Sequence, residues 1–596
     1  MGAIKKLAEM LNAHERKRAL MLFGLVVVMA LLEVVGVASV MPFMAVMANP
    51  EVVETNAFLA AVYNTLGFTD TRSYLSFLGL IVFVALVSSI AFKALTTYAL
   101  LRFTNMRGYS LCRRLVGGYL NQPYEWFLNR NSADLSKTVL AEVQQVISGG
   151  LIPAMQLIAN GAVVIALLLL LIAADPVLAS GVGLGLGLAY GVIYMGLRRF
   201  LGRIGADRVL ANRGRYQSLN EAFGGIKDVK VSGLEGVFLR RFEGPALRYA
   251  RHMSASSIAT QLPRYALEII AFGGIMLVAL YLLSADGGLE TALPILALYA
   301  LAGYRMMPAV QTVYAELTKL RFAEAALDTL HHDLTTLGMA STTKEIIEPM
   351  KLEDQVELRS VSYSYPAGPR AAIESLDIAF AARTRIGLVG ATGSGKTTTV
   401  DIVLGLLEPA SGQLVVDGVP ITRENVGSWQ RAIGYVPQNI YLSDDTIAGN
   451  IAFGTAPSKI DRAAVERAGR IANLHDFVAN DLPERYDTVV GERGVRLSGG
   501  QRQRIGIARA LYHNPHVLVL DEATSALDNL TEQAVMEAMD NLGHEITIIL
   551  IAHRLSTVRS CDHIYLLDRG RLAGQGTYDE LVAGNDSFRR MAGASR

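Results

Sequence analysis

The chain has 596 residues, of which 51% are hydrophobic and 18% charged, with 55 Lys and Arg against 54 Asp and Glu. That length exceeds what one core organises, and a mean hydropathy of +0.32 is too apolar for a wholly soluble protein. A net charge of +1 leaves no electrostatic footprint for nucleic acid, and two cysteines, Cys112 and Cys561, both in segments read as cytoplasmic, argue against a disulfide framework.

In chain order, residues 1–18 form a basic amphipathic lead-in (Lys5, Lys6, Arg16, Lys17, Arg18) without the pattern of a cleavable signal. Six apolar runs follow, near 19–47, 75–103, 147–173, 176–200, 265–283 and 289–310. Each supplies about 20 apolar residues, enough to cross a hydrocarbon core of about 30 Å. Basic residues crowd two of the connections. Arg102, Arg107, Arg113, Arg114 and Arg130 lie between the second and third runs, and Arg198 to Lys230 supply eight more between the fourth and fifth. The remaining loops hold little besides Arg72. This asymmetry places both termini and the two long loops in the cytoplasm. Each long loop contains a break suited to a short transverse helix, near 121–134 and 221–228. The first outer loop carries Phe58, Leu59, Val62, Tyr63 and Leu66 at helical spacing. This small outer helix, near 52–66, would lie on the outer leaflet or cap its own neighbours.

Charges inside spans are costly, about 2.5–3.5 kcal/mol each on insertion scales, and so point to function. Lys93, Arg264 and Arg305 are three such cations. At about 1.5 Å per residue they fall about 24–30 Å below the outer surface, at one level. A ring of cations there suits a phosphate or diphosphate. Glu268, one turn from Arg264, and Glu33 in the first run are carboxylates that could pair with them instead.

Helical periodicity continues to about residue 333, a polar linker spans 334–351, and from 352 to 596 strands alternate with helices. Gly390 to Thr397 reads Gly-Ala-Thr-Gly-Ser-Gly-Lys-Thr, the spacing of a phosphate-binding loop, between an apolar strand (385–389) and a helix beginning near Thr398. Gly390, Thr392, Gly393, Ser394 and Gly395 would let backbone N–H groups turn inward. Lys396 would reach the β- and γ-phosphates, and Thr397 would place its hydroxyl on Mg²⁺. Tyr365 stands where it could stack on adenine. Gln438 follows a strand and could sense Mg²⁺ or the attacking water. Asp521 ends a buried strand as a Mg²⁺ partner, with Glu522 as the base that activates water and His553 facing the γ-phosphate. A second anion cradle, Ser498, Gly499, Gly500 and Gln501, precedes a helix over 502–511. One fold cannot easily use both cradles on one nucleotide. The spacing therefore predicts two copies of the chain head to tail, each ATP between Lys396 of one and Ser498 of the other.

These motifs, across essentially the whole chain, resemble those of ABC transporters of the exporter half-transporter type. The resemblance implies an α-helical polytopic membrane domain (1–333) followed by an α/β ATPase domain (352–596), ATP and Mg²⁺ as cofactors, and a homodimer. It implies a multi-pass protein of a bacterial inner membrane with its motor in the cytoplasm. It assigns Thr398 to the ATP site and Asp528, in Ser525-Ala526-Leu527-Asp528, to contact with the partner motor; 490–494 looks like the exporter segment that meets the transverse helices. More narrowly, Leu32 to Phe43, the outer helix and Lys93, Arg264 and Arg305 are similar to PglK-type lipid-linked oligosaccharide flippases, in which cavity arginines bind the substrate diphosphate. Lys93 departs from that pattern by losing bidentate geometry. The expected cargo is a lipid-linked oligosaccharide; the alternatives are lipid A-like lipids, peptides, hydrophobic drugs or, on the same scaffold, an ATP-gated anion channel.

Overall fold

The computed structural model describes residues 2–265, 268–269, 273, 276, 288–337, 348–366, 370–491, 494–521, 545–552, 555 and 557–593. The chain divides into two compact units: Met1–Gln122 with Asn129–Thr342, and Pro123–Leu128 with Thr343–Arg596.

The first unit is helical. Its long helices are α1 (Ala13–Ala38), α2 (Thr71–Leu120), α3 (Ile152–Ala174), α4 (Pro176–Gly224), α5 (Glu235–Gln261) and α6 (Gly288–Thr336). Local chemistry sets their starts. Asn12 and Glu15 form a reciprocal capping box at α1, and the Asp70 carboxylate caps α2 through the N–H of Ser73. Pro176 opens α4, where its missing N–H costs nothing. Among the described residues, four helical stretches are long and apolar enough to cross a membrane: Ala13–Ala48, Thr71–Leu120, Ser132–Ala174 and Ala179–Gly224. The expected fifth span lies largely outside the described residues, and the expected sixth falls within α6. At 50 residues α2 is about 75 Å long, well over twice the hydrocarbon thickness, so it must project beyond the bilayer.

Val26 and Met29 of α1, Leu100 of α2, Val163 and Leu167 of α3 and Leu298 and Ala302 of α6 close into one apolar core. The opposite face of α2 presents Leu80, Phe83, Val84 and Val87 outward, as acyl chains require. Two buried ion pairs brace the helices nearer their ends. Arg208 of α4 donates to Glu142 at 2.7 Å, with Asn212 on the other carboxylate oxygen at 3.0 Å. Arg107 of α2 meets Glu15 of α1 at 2.5 Å. The outer helix is Ala57–Thr65. Leu59 is buried against Val46, Val53, Tyr74 and Leu78, with Val62 and Tyr63 packed beside it, so the helix caps its own neighbours; Phe58 and Leu66 remain exposed.

The second unit holds two sheets. An antiparallel sheet has the order β2-β1-β4-β5, from β1 (Gln355–Tyr363), β2 (Ile373–Ala381), β4 (Ser411–Val416) and β5 (Val419–Pro420). A larger sheet has the order β10-β9-β3-β8-β7-β6, from β3 (Arg385–Val389), β6 (Ile433–Val436), β7 (Val517–Asp521), β8 (Thr547–Ile551), β9 (His563–Asp568) and β10 (Arg571–Gly576). Strands β9, β3, β8, β7 and β6 are parallel, with Leu388 level with Ile551, Asp521 with Ile551 and Val436 with Leu520. The continuous apolar runs of β7 and β8 are wholly buried, as covered parallel strands demand. The register brings the carboxyl ends of β3, β6, β7 and β8 to one edge, where ligands of open α/β sheets bind.

The short helix Tyr124–Leu128 belongs to this second unit although it lies between α2 and α3 in sequence. Its Glu125 accepts a hydrogen bond from the Tyr363 hydroxyl at 2.9 Å.

Candidate nucleotide site and membrane charge cluster

The turn after β3 is shaped by glycine. Gly390 has φ 152°, and a Cβ there would stand 2.2 Å from the Leu567 carbonyl oxygen. Gly395, φ 102°, precedes α7 (Lys396–Val403), which starts two residues earlier than the sequence suggests. Gly393, φ 79°, faces open space. Lys396 is buried, and its ammonium donates back to the carbonyls of Gly390 at 2.7 Å and Ala391 at 3.1 Å. The Ser394 hydroxyl is buried without a hydrogen-bond partner, and Thr397 is exposed. A buried ammonium and, among the described residues, an unpartnered buried hydroxyl in one glycine turn fit a polyphosphate.

Other motif residues gather at the same sheet edge. Asp521 ends β7, and Gln438, exposed, follows β6 by two residues. Asp401, on α7, faces Asp521; burial, reinforced by that second charge, pushes its carboxyl up to about 6. Tyr365 is half-buried, its hydroxyl 3.2 Å from Thr398 Oγ1 and its ring edge-on to Tyr363 with centroids 5.1 Å apart. Ser498 caps α8 (Gly499–Leu511) through the N–H of Gln501, in a reciprocal box with the Gln501 side chain. That helix starts three residues before the expected 502. Glu522, Asp528 and His553, and Glu492 and Arg493 of the 490–494 segment, lie outside the described residues.

In the membrane unit, the three intramembrane cations do not form one ring of contacts. Lys93 and Arg305 converge on Glu33 Oε1, each at 3.3 Å, while the Ser89 hydroxyl donates to Oε2 at 2.8 Å. Arg264 instead pairs with Glu268, one turn along, at 2.7 Å and stays exposed. Two of the three thus share one carboxylate, and the third uses the Glu268 alternative the sequence offered. Depth counting along separate helices carries no rotation about each helix axis, and rotation decides which side chains meet.

Sequence reasoning passed over Tyr363, Glu125 and Asp401. Tyr363 lies in a strand, Glu125 in the 121–134 break and Asp401 in the helix after the phosphate loop, and no local pattern ties any of them to the nucleotide.

Two family models match the chain: the ABC transporter transmembrane region over residues 19–301 and ABC transporter over residues 373–525. An ATP-dependent lipid A-core flippase of Cupriavidus metallidurans is 33% identical over 525 residues, covering 85% of each chain. The chain is an ABC transporter. Its membrane region followed by one ATPase domain makes this ABC transporter an exporter-type half-transporter, and the ATPase couples ATP hydrolysis to transport. An ABC multidrug transporter of Trichophyton rubrum, MDR5, is 40% identical over 266 residues, which is 43% of this chain and 20% of that one. A solved bacterial Atm1-family ABC exporter with ATP bound has the same fold, with a TM-score of 0.78 at 24% identity over 98% of this chain and 99% of that one.

Proposed function

We propose that this ABC transporter works as a homodimer that moves a phosphate-bearing glycolipid from the cytoplasmic to the outer leaflet of a bacterial inner membrane. The observation that carries the reading is the paired cations Lys93 and Arg305 inside the membrane unit, which outnumber their one carboxylate. Charges inside spans are costly, and a cation in excess of its carboxylate there points to a further anion that uses it. A drug exporter would want an apolar, aromatic cavity in their place, and an anion channel would have no need of two matched ATP cradles.

Gly390, Thr392, Gly393, Ser394, Gly395, Lys396, Thr397 and Thr398 would hold the phosphates, with the Tyr365 ring on the base. Ser498 to Gln501, and Asp528, would come from the partner copy. Thr397, Gln438 and Asp521 would hold Mg²⁺, which neutralises charge on the phosphates. Glu522 would take the proton of the attacking water, with His553 orienting the γ-phosphate. Phe223, Ile226 and Val231, at the second transverse break, are exposed apolar side chains, which supports a docking role on a partner motor. Glu125, bonded to Tyr363 beside Tyr365, would report closure of the site to the membrane helices. The motor and both termini would face the cytoplasm.

The preferred cargo is a polyprenyl-diphosphate oligosaccharide. A lipid A-like cargo is the second reading, favoured by the names of the curated relatives. The test is ATP-dependent flipping of fluorescent forms of both in proteoliposomes, with an unlabelled phospholipid and a cationic drug as competitors. Flipping of at least one phosphorylated glycolipid, lost in a Lys93→Gln, Arg305→Gln double variant, is expected. Unchanged flipping in that variant would contradict the proposal.

A further inference from the structure

Glu33 is buried, 1% exposed, on α1; Lys93 is on α2 and Arg305 on α6. Among the described residues one carboxylate therefore serves two cations, leaving a charge of +1. The shortage is of acceptors as well as charge. Arg305 meets Glu33 through one terminal nitrogen at 3.3 Å, and its Nε is buried with no hydrogen-bond partner. Lys93 likewise places one contact at 3.3 Å. A guanidinium grips a phosphate through two nitrogens at shorter range, so this cluster holds its present anion loosely and has donors for a larger one.

We propose that Glu33 is a resident counter-ion, holding in the cargo-free protein the place on Lys93 and Arg305 that the cargo's phosphate takes. This rests on the reading of that pair as the anion-holding site. A phosphate brings more charge and more oxygens than one carboxylate and displaces it; a neutral lipid has nothing with which to do so. Selection for phosphate-bearing lipid is thus built into the resting ion pair. Ser89 keeps its hydrogen bond to Oε2, so the displaced carboxylate is not left bare in a region of low dielectric. Because the pairs tie α1 to α2 and α6, the exchange also unfastens three helices at the moment cargo arrives.

The test uses the full chain in phosphatidylcholine nanodiscs, titrated with short-chain phosphatidic acid, diacylglycerol or inorganic diphosphate, with the thermal midpoint as readout. Phosphatidic acid should raise the midpoint and diacylglycerol should not. Glu33→Gln should melt lower without ligand and half-saturate with phosphatidic acid at a concentration about tenfold lower, since the competing state is removed. Glu33→Asp, which keeps the charge but shortens the reach, should fall between the two and serves if the Gln variant does not fold. Should neither variant bind more tightly while Lys93→Gln, Arg305→Gln loses binding, Glu33 is a fixed structural partner and the counter-ion proposal is overturned alone. Wild-type binding by that double variant would instead remove the anion-holding reading beneath it. A response to diphosphate without one to phosphatidic acid would overturn the lipid-borne ligand.

Discussion

The motor and the membrane unit each hold cations away from the surface, buried at Lys396 and partly buried at Lys93 and Arg305, but they pair them in different ways. Lys396 donates to two carbonyls of its own loop, acceptors that a phosphate readily replaces. Lys93 and Arg305 rest on a full carboxylate fixed by a serine. The first arrangement suits a ligand present at all times, which enters without opposition. The second suits a ligand that must be chosen, because only a stronger anion can displace the occupant. A third case, Arg208 with Glu142 and Asn212, is closed on both sides, 1% and 0% exposed, and has the character of a brace.

The largest expected effect separates brace from site. Glu142→Gln strands Arg208 in the interior and should cost about 3–5 kcal/mol of stability in denaturant unfolding, with no change when phosphatidic acid is added. Next, Lys396→Ala should lower ATP hydrolysis by about a hundredfold, roughly 2.7 kcal/mol of barrier, while the thermal response of the membrane unit to phosphatidic acid survives. Loss of both together would break the contrast between the two cation sites. A smaller effect is expected from Tyr363→Phe, which deletes the hydrogen bond to Glu125, worth about 1 kcal/mol. ATP affinity should stay within about twofold, whereas stimulation of hydrolysis by cargo falls. Equal falls in basal and stimulated rates would show that the bond is merely structural.

A last effect concerns pH. The Asp401 carboxyl is raised from 3.8 to about 6, chiefly by burial, so the folded protein holds its proton more tightly than the unfolded chain does. Its contribution to stability is full below pH 3.8 and is lost as pH rises through about 6. Asp401→Asn should flatten the Mg²⁺-free melting profile across that window, read as thermal midpoint against pH.

How much of this was legible in the sequence follows from distance along the chain. The phosphate loop is eight consecutive residues between a strand and a helix, so pattern and context arrive together, and β3, β7 and β8 could be read from their apolar runs. The membrane cluster draws on residues 33, 89, 93 and 305, with Arg305 272 positions from Glu33. Hydropathy gives each its span and depth but not the helix rotation that aims Lys93 and Arg305 at one oxygen and turns Arg264 to Glu268. Tyr363 and Glu125, 238 positions apart, meet only because the short helix Tyr124–Leu128 folds as part of the second unit. Helix starts were misplaced toward the carboxyl side at both cradles, because Lys396, Gly499 and Gly500 read as loop residues although each already belongs to its helix.

The central claim is that ATP is clasped between two copies, Lys396 of one and Ser498 of the other, to drive lipid movement. Lys396→Ala and Ser498→Arg chains, each inactive alone, can be co-expressed with different tags and purified as the mixed dimer. Shared sites predict that this dimer regains ATP-dependent flipping, since one site has lost both elements and the other keeps both. If every nucleotide is instead held within a single chain, the mixed dimer is as inactive as its parents, and the account is wrong.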